Sequence, residues 1–319
     1  MRPLPPPPHA PEAQVRRLSL EVSRRLDGLL QGDHARRALG TGSERAETRA
    51  HAPGDDARRI DWAVTARTGT THVRTTTADR DLETTLVVDL TASMAFGTRR
   101  SEKRDLALAA ASALVHVCST HGDRVGALVL TGDGVRRVPP RAGRHAALAL
   151  RHVLETTPRA ESGPGAALAD ALTALARPPR RRGLVVVLGD LAEAGGAGGA
   201  SDGGAGAPGW ARPLQLLAQR CDVVVCQVQD PLETELPDVG TLHVVDPETG
   251  RELEVRTSRA LRERYRDAAL ARGEAQRSAV HRAGAAHVLL RTDRDWLPDL
   301  ARSLSAPRRT GALRRGALA

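Results

Sequence analysis

The sequence predicts an α/β fold: a Rossmann-like, doubly wound, mainly parallel sheet with an antiparallel edge strand, preceded by an N-terminal helix and an irregular segment. Three observations predict it. Two short apolar runs, Leu86 to Val88 and Leu184 to Leu188, each stop at an acid, Asp89 and Asp190, as buried parallel strands do at their carboxyl ends. Strand patterns then alternate with helical ones from Thr84 onward, which implies parallel pairing with helices on both faces. Gly132-Asp133-Gly134 between apolar stretches signals a tight hairpin and supplies the antiparallel partner.

The elements follow in order. Residues 1–11 form a proline-rich tail with too little apolar content to fold alone. Val15, Leu18, Val22, Leu26, Leu29 and Leu30 recur at helical spacing between arginines and specify an amphipathic helix whose apolar stripe must dock. From Gln31 to Asp81 periodicity is weak, with one or two short strands expected around His72 to Thr76. The segment 12–81 thus leads into an α/β domain spanning 82–306, and residues 307–319 form a basic tail.

Within that domain the strand Leu86 to Asp89 precedes a helix over about Glu102 to Thr120. A strand at Asp123 to Thr131 turns back through Val135 to Val138, and helices follow at Arg144 to Glu155 and Ala166 to Ala176. After the second apolar strand, the tract 194–209 is nearly all Gly, Ala and Ser and reads as a flexible loop. A helix at Ala211 to Arg220, a strand at Val223 to Val228 and a hairpin-like pair at Leu242 to Val245 and Leu253 to Val255 come next. The domain closes with a long helix from Ser258 to Ala283, a strand at His287 to Leu290 and a helix near Trp296 to Leu304.

Bulk composition narrows the classes. With 319 residues and 40% hydrophobic content the chain can bury a real core, but only 2% is aromatic, so the interior is built from Ala, Leu and Val. A net charge of +9 permits acidic partners without naming one. Nucleic-acid binding rests on that charge alone, because so few aromatics leave little for bases to stack on. No apolar run approaches the roughly 20 residues needed to span a bilayer, so no membrane insertion is expected. Cys118, Cys221 and Cys226 form no metal-type pairing and read as reduced core thiols of a cytoplasmic protein. The histidines are scattered, and no pair has helical zinc spacing.

The chemistry gathers at the strand tips. Asp89, Thr91 and Ser93 put one carboxylate and two hydroxyls in a single turn, a hard-oxygen set suited to Mg²⁺ or Mn²⁺, and Asp190 on a second tip could complete it directly or through water. The plainer alternative is that Asp89 caps the following turn while the hydroxyls bond backbone amides.

VVDLTASM followed by a helix, then GDRVGAL, then a strand ending in Asp190, resembles a von Willebrand factor A (vWA) domain with its metal-ion-dependent adhesion site. The stretch Pro53-Gly54-Asp55-Asp56-Ala57-Arg58-Arg59-Ile60-Asp61-Trp62, then Ala66-Arg67, resembles the PGDDxRxIDWxxxAR signature of the DUF58 family, in which it precedes such a domain. The resemblance covers roughly residues 36 to 306. It implies a vWA-like domain whose Asp-x-Ser-x-Ser motif falls on Asp89, Thr91 and Ser93 and whose distal Asp falls on Asp190. The family's Gly-Thr loop falls on Gly165-Ala166, and alanine offers no oxygen, so water would have to replace that ligand.

Asp55, Asp56 and Asp61 alternate with Arg58, Arg59 and Arg67, which suits a self-paired loop clamped to the body by buried Ile60 and Trp62. The alternative is a partner-docking or catalytic carboxylate cluster. The resemblance implies a non-enzymatic protein-protein interaction module working with a MoxR-type AAA+ ATPase in assembly or maturation of a protein complex. The competing expectations are a metal-dependent hydrolase or phosphoryl-transfer enzyme using Asp89 and Asp190, and a basic nucleic-acid-binding protein.

Overall fold

A computed structural model describes residues 46–51, 60–76, 83–97, 101–120, 123–160, 162–163, 165–177, 183–192, 207–247 and 249–305. The expected leading helix, both tails, most of the 194–209 loop, and Asp55, Asp56 and Arg58 lie outside them.

Strands β1 (Ala46–Ala50) and β2 (His72–Thr76) form a small antiparallel sheet, with the short helix α1 (Trp62–Thr68) between them. Asp61 caps α1, its Oδ1 accepting from the Ala63 and Val64 amides at 3.1 and 3.2 Å, and it is buried. Trp62 does not act as a buried anchor, since it is 69% exposed. It occupies the first helical position of α1, directly after the Asp61 cap. Val73 of β2, 4% exposed and bridged to Ile60, anchors this segment instead, and Arg67 in the last turn of α1 is exposed.

The main sheet comprises β3 (Glu83–Asp89), β4 (Arg124–Thr131), β5 (Gly134–Arg141), β6 (Gly183–Gly189), β7 (Asp222–Gln229) and the last strand (Ala286–Arg291). A separate hairpin, β8 (Thr241–Val245) and β9 (Glu252–Arg256), precedes that last strand, which is therefore β10. The order across the sheet is β10-β7-β6-β3-β4-β5, all parallel except β5. β5 runs longer than its sequence pattern suggested and carries Pro139-Pro140, tolerable because it is an edge strand.

Both faces of the sheet are covered, and period-two alternation sorts each strand between them. Leu86 and Val88 of β3 and Leu184, Val186 and Leu188 of β6 face one core with α2 (Lys103–Thr120), α3 (Arg144–Glu155) and the C-terminal helix (Leu297–Ser305). Val87, Val185 and Val187 face the other, with α4 (Leu168–Ala176), α5 (Ala211–Ala218) and α6 (Arg259–Arg282). The C-terminal helix is then α7. In α2, Ala107, Ala109, Ala110, Ala111 and Ala113 are all fully buried, and these small side chains let the helix lie close over the sheet. Among the described residues no helix is long and apolar enough to cross a membrane.

A polar chain links the sheet to α6. His287 Nε2 lies 2.9 Å from Gln227 Oε1, Gln227 Nε2 donates to Gln276 Oε1 at 2.8 Å, and Gln276 Nε2 donates to the Leu191 carbonyl at 3.1 Å. Burial, reinforced by His281 and Arg277, pushes His287 down to about 4 from 6.5. Between those values the unfolded chain binds more protons than the native one. The stability from keeping His287 neutral is therefore complete above about 6.5 and lost as pH falls through about 4. Urea midpoints should fall on acidification through this window, and the fall should shrink in His287→Gln.

Candidate functional site at the strand tips

The site is assembled where β3 and β6 end side by side. The Leu90 amide donates to the Leu130 carbonyl at 2.9 Å, holding the chain in the sheet as it leaves β3. It then winds into one 3₁₀ turn, Ala92–Met94, and Ala92 and Met94 plug that turn into the core with 1% and 0% exposure. Asp89 Oδ1 accepts both the Thr91 amide at 3.0 Å and the Thr91 hydroxyl at 2.6 Å. Thr91 Oγ1 and Ser93 Oγ are 3.3 Å apart. The turn-capping role open to Asp89 from sequence is thus present.

Asp190 stands on the adjacent tip. Its Oδ1 accepts the Ala192 amide at 2.9 Å, and the Ser93 hydroxyl also bonds its carboxylate. The structure brings all four tip residues named from sequence together.

Two glycines permit this closeness. A Cβ on Gly189 would stand 2.8 Å from Asp89 Cβ. Gly165 has φ +57°, and a Cβ there would stand 2.6 Å from Thr91 Cγ2. The Gly165-Ala166 loop is held against β4 by the Ala166 amide, which donates to the Thr131 carbonyl at 3.0 Å. This is why α4 begins at Leu168 and not at Ala166. Gly165→Val should displace Thr91, seen as a loss of stability of about 1–3 kcal/mol in urea titration.

Sequence reasoning missed the central cation. Lys103, the first residue of α2, is 2% exposed, and its Nζ donates to Asp190 Oδ2 at 2.8 Å and Glu233 Oε1 at 2.5 Å. Glu233 lies on a 3₁₀ turn, Pro231–Glu233, just past β7, and its Oε2 accepts the Asp230 amide at 2.9 Å. Asp230, fully buried, accepts the Leu232 amide at 3.0 Å and the Thr292 hydroxyl at 2.6 Å. One network therefore joins the ends of β3, β6, β7 and β10 to the start of α2.

The electrostatics divide the carboxylates. Burial works to raise Asp190, but the Lys103 charge and hydrogen bond overcome it and hold the acid below its usual range. Burial likewise works to lower Lys103, and Asp190 and Glu233 outweigh it and keep the ammonium charged. Glu233 is raised by burial more than Lys103 lowers it. Asp89 is different: burial first and the neighbouring Asp190 second push it up to about 7. Its hydrogen bonds with Thr91 and the more distant Lys103 charge do not compensate.

Asp89, Asp190 and Glu233 gather around one ammonium, which bonds Asp190 and Glu233, and the surplus of negative charge, larger as Asp89 deprotonates through about 7, would draw a divalent cation. The donor set fits such an ion only loosely. Asp89 and the Thr91 and Ser93 hydroxyls can reach it, Asp190 is already held by Lys103 and the Ala192 amide, and Ala166 contributes no oxygen. Among the described residues no three His, Cys, Asp or Glu side chains form a metal-binding group. A Mg²⁺ or Mn²⁺ here would keep several waters.

The strand order and the winding define a doubly wound α/β protein with its candidate site at the carboxyl edge of the sheet. Residues 47–275 match the family described as "Protein of unknown function DUF58", and the chain belongs to that family. It is 45% identical over 301 residues to uncharacterised protein Rv1480 of Mycobacterium tuberculosis, covering 94% of this chain and 90% of that protein. It is 39% identical over 177 residues to uncharacterised protein MAV169 of Mycobacterium avium, covering 56% of this chain and 96% of that one. Among solved structures it is similar to the conserved hypothetical protein BatB from Bacteroides thetaiotaomicron, with TM-score 0.42, 16% identity, and 70% and 97% of the two chains covered. It is also similar to a von Willebrand factor type A protein from Catenulispora acidiphila, with TM-score 0.39, 12% identity, and 74% and 43% covered.

Proposed function

We propose that the chain is a cytoplasmic, non-enzymatic docking module that binds a protein partner through the tips of β3 and β6, the partner being a MoxR-type AAA+ ATPase engaged in assembling or maturing a protein complex. The observation that carries this reading is the convergence of Asp89 and Asp190, with the Thr91 and Ser93 hydroxyls between them, at the carboxyl edge of a parallel sheet, where α/β folds present their ligand sites. The choice of partner class follows from the resemblance of the sequence to DUF58 proteins.

Asp89, Thr91 and Ser93, with Asp190 behind them, would hold a Mg²⁺ or Mn²⁺ ion. When bound, that cation supplies an open coordination position for an acidic side chain of the partner. Asp89, raised to about 7 by burial and by Asp190, contributes its carboxylate once deprotonated. Thr91 fixes its carboxylate orientation through two hydrogen bonds, and Ser93 places a hydroxyl at the more open side of the turn. Capture from cells containing a MoxR-type ATPase tests the reading. The ATPase should co-purify with the wild type and be lost with Asp89→Ala, whereas undiminished capture by Asp89→Ala would refute it.

A further inference from the structure

We propose that Lys103 is a built-in competitor for the cation at the strand tips: its ammonium takes Asp190 and Glu233, leaves an incoming divalent ion only Asp89, Thr91 and Ser93, and so keeps the affinity of the chain for that ion low. This rests on the docking-edge reading above and adds what sets the strength of the site.

The placement of the lysine carries the inference. A cation in the first turn of a helix is disfavoured by the helix dipole, so the start of α2 gains nothing from a lysine there. What the side chain gains is two carboxylates, at 2.8 and 2.5 Å, with the Phe96 ring centroid 6.0 Å from Nζ. Its backbone amide donates to the Phe96 carbonyl at 2.8 Å, which ties the lysine to the residue just past the Asp89 turn.

Glu233 is fixed as well, by its second oxygen on the Asp230 amide. A freely rotating surface lysine could swing away when a metal ion arrived. This one is 2% exposed and held from two sides, so its charge stays beside Asp190. A divalent ion at Asp89 must then bind next to a fixed like charge and share Asp190 with it, and both effects weaken it.

The test measures Mn²⁺ binding to the purified full chain by loss of the free Mn²⁺ paramagnetic signal, without any partner. Wild type is compared with Lys103→Met and with the charge-conserving pair Lys103→Gln/Glu233→Gln, folding being checked by circular dichroism. The double variant removes one charge of each sign, so it carries the test if Lys103→Met does not fold. Both variants should bind Mn²⁺ roughly tenfold more tightly or better, and Asp190→Asn added to either should abolish the gain. Folded variants that bind Mn²⁺ no more tightly than wild type would overturn the role of Lys103 while leaving the docking edge standing. No Mn²⁺ binding in any of the three proteins would overturn both this inference and the cation reading of the tip.

Discussion

Lys103→Met is expected to lower the unfolding free energy by about 3–5 kcal/mol in metal-free buffer, the usual cost of stripping one partner from a buried ion pair. The cost arises because Asp190 and Glu233 lose their shared counterion while Asp89 already lacks one. Asp190 depends on Lys103 most, since the ammonium offsets its burial more than the Ala192 amide or the Ser93 hydroxyl does. Urea titration gives the magnitude.

The attribution is checked by the Lys103→Gln/Glu233→Gln pair, which should be less destabilised than the two single variants added together. A coupling of about 1–3 kcal/mol is expected for residues in direct contact. Additive losses would mean that Lys103 stabilises the fold through its packing and not through its charge.

Trp210→Ala is expected to cost about 3–5 kcal/mol by a different route, the cavity left by a large aromatic. Trp210 is 2% exposed and packs in the core that holds α4, α5 and α6. It is the N-cap residue of α5. In a protein whose aromatics make up only 2% of the sequence, one indole fills volume that Ala and Leu elsewhere cannot. Its Nε1 has no hydrogen-bond partner among the described residues, so Trp210→Phe should cost much less than the alanine change. Thermal midpoints of the two variants separate the shape contribution from the polar one.

The scaffold was legible because its signals are local. Strands buried on both faces must be apolar at every position, and Leu86 to Val88 and Leu184 to Leu188 are, so the strands and the acids at their tips could be placed directly. The Gly132 turn identified its hairpin for the same reason, since positive φ at Gly134 is a requirement written in residue type.

The parts that were not legible depend on contacts distant in sequence. Lys103 reads as one more basic residue at a helix start, and only the fold brings it to Asp190, 87 positions away, and Glu233, 130 positions away. A weak local sign of Glu233 did exist, because Asp230-Pro231-Leu232-Glu233 is a capping box with proline at its first position. That pattern places a carboxylate just past a strand tip. Trp62 failed in the opposite direction: its size suggested burial, yet the side chain that the local backbone buries is the Asp61 cap. Residue type alone does not decide which of two neighbours points inward. The start of α4 was displaced because Ala166, helical by composition, is used with Gly165 to close the loop over Thr91.

The docking edge is tested most directly by site-specific crosslinking. Cys118, Cys221 and Cys226 are buried and outside any disulfide, so a single introduced surface thiol can be labelled selectively in the native chain. Ala192→Cys places a photoreactive group just past the tip of β6, on an exposed residue whose side chain takes no part in the site, and Arg220→Cys places one at the opposite, amino-terminal end of β7, also on an exposed residue. Irradiated in lysate containing a MoxR-type ATPase, the Ala192→Cys protein should crosslink to that ATPase and the Arg220→Cys protein should not. Crosslinks from Arg220→Cys with none from Ala192→Cys would contradict the account, because the partner would then sit at the wrong end of the sheet.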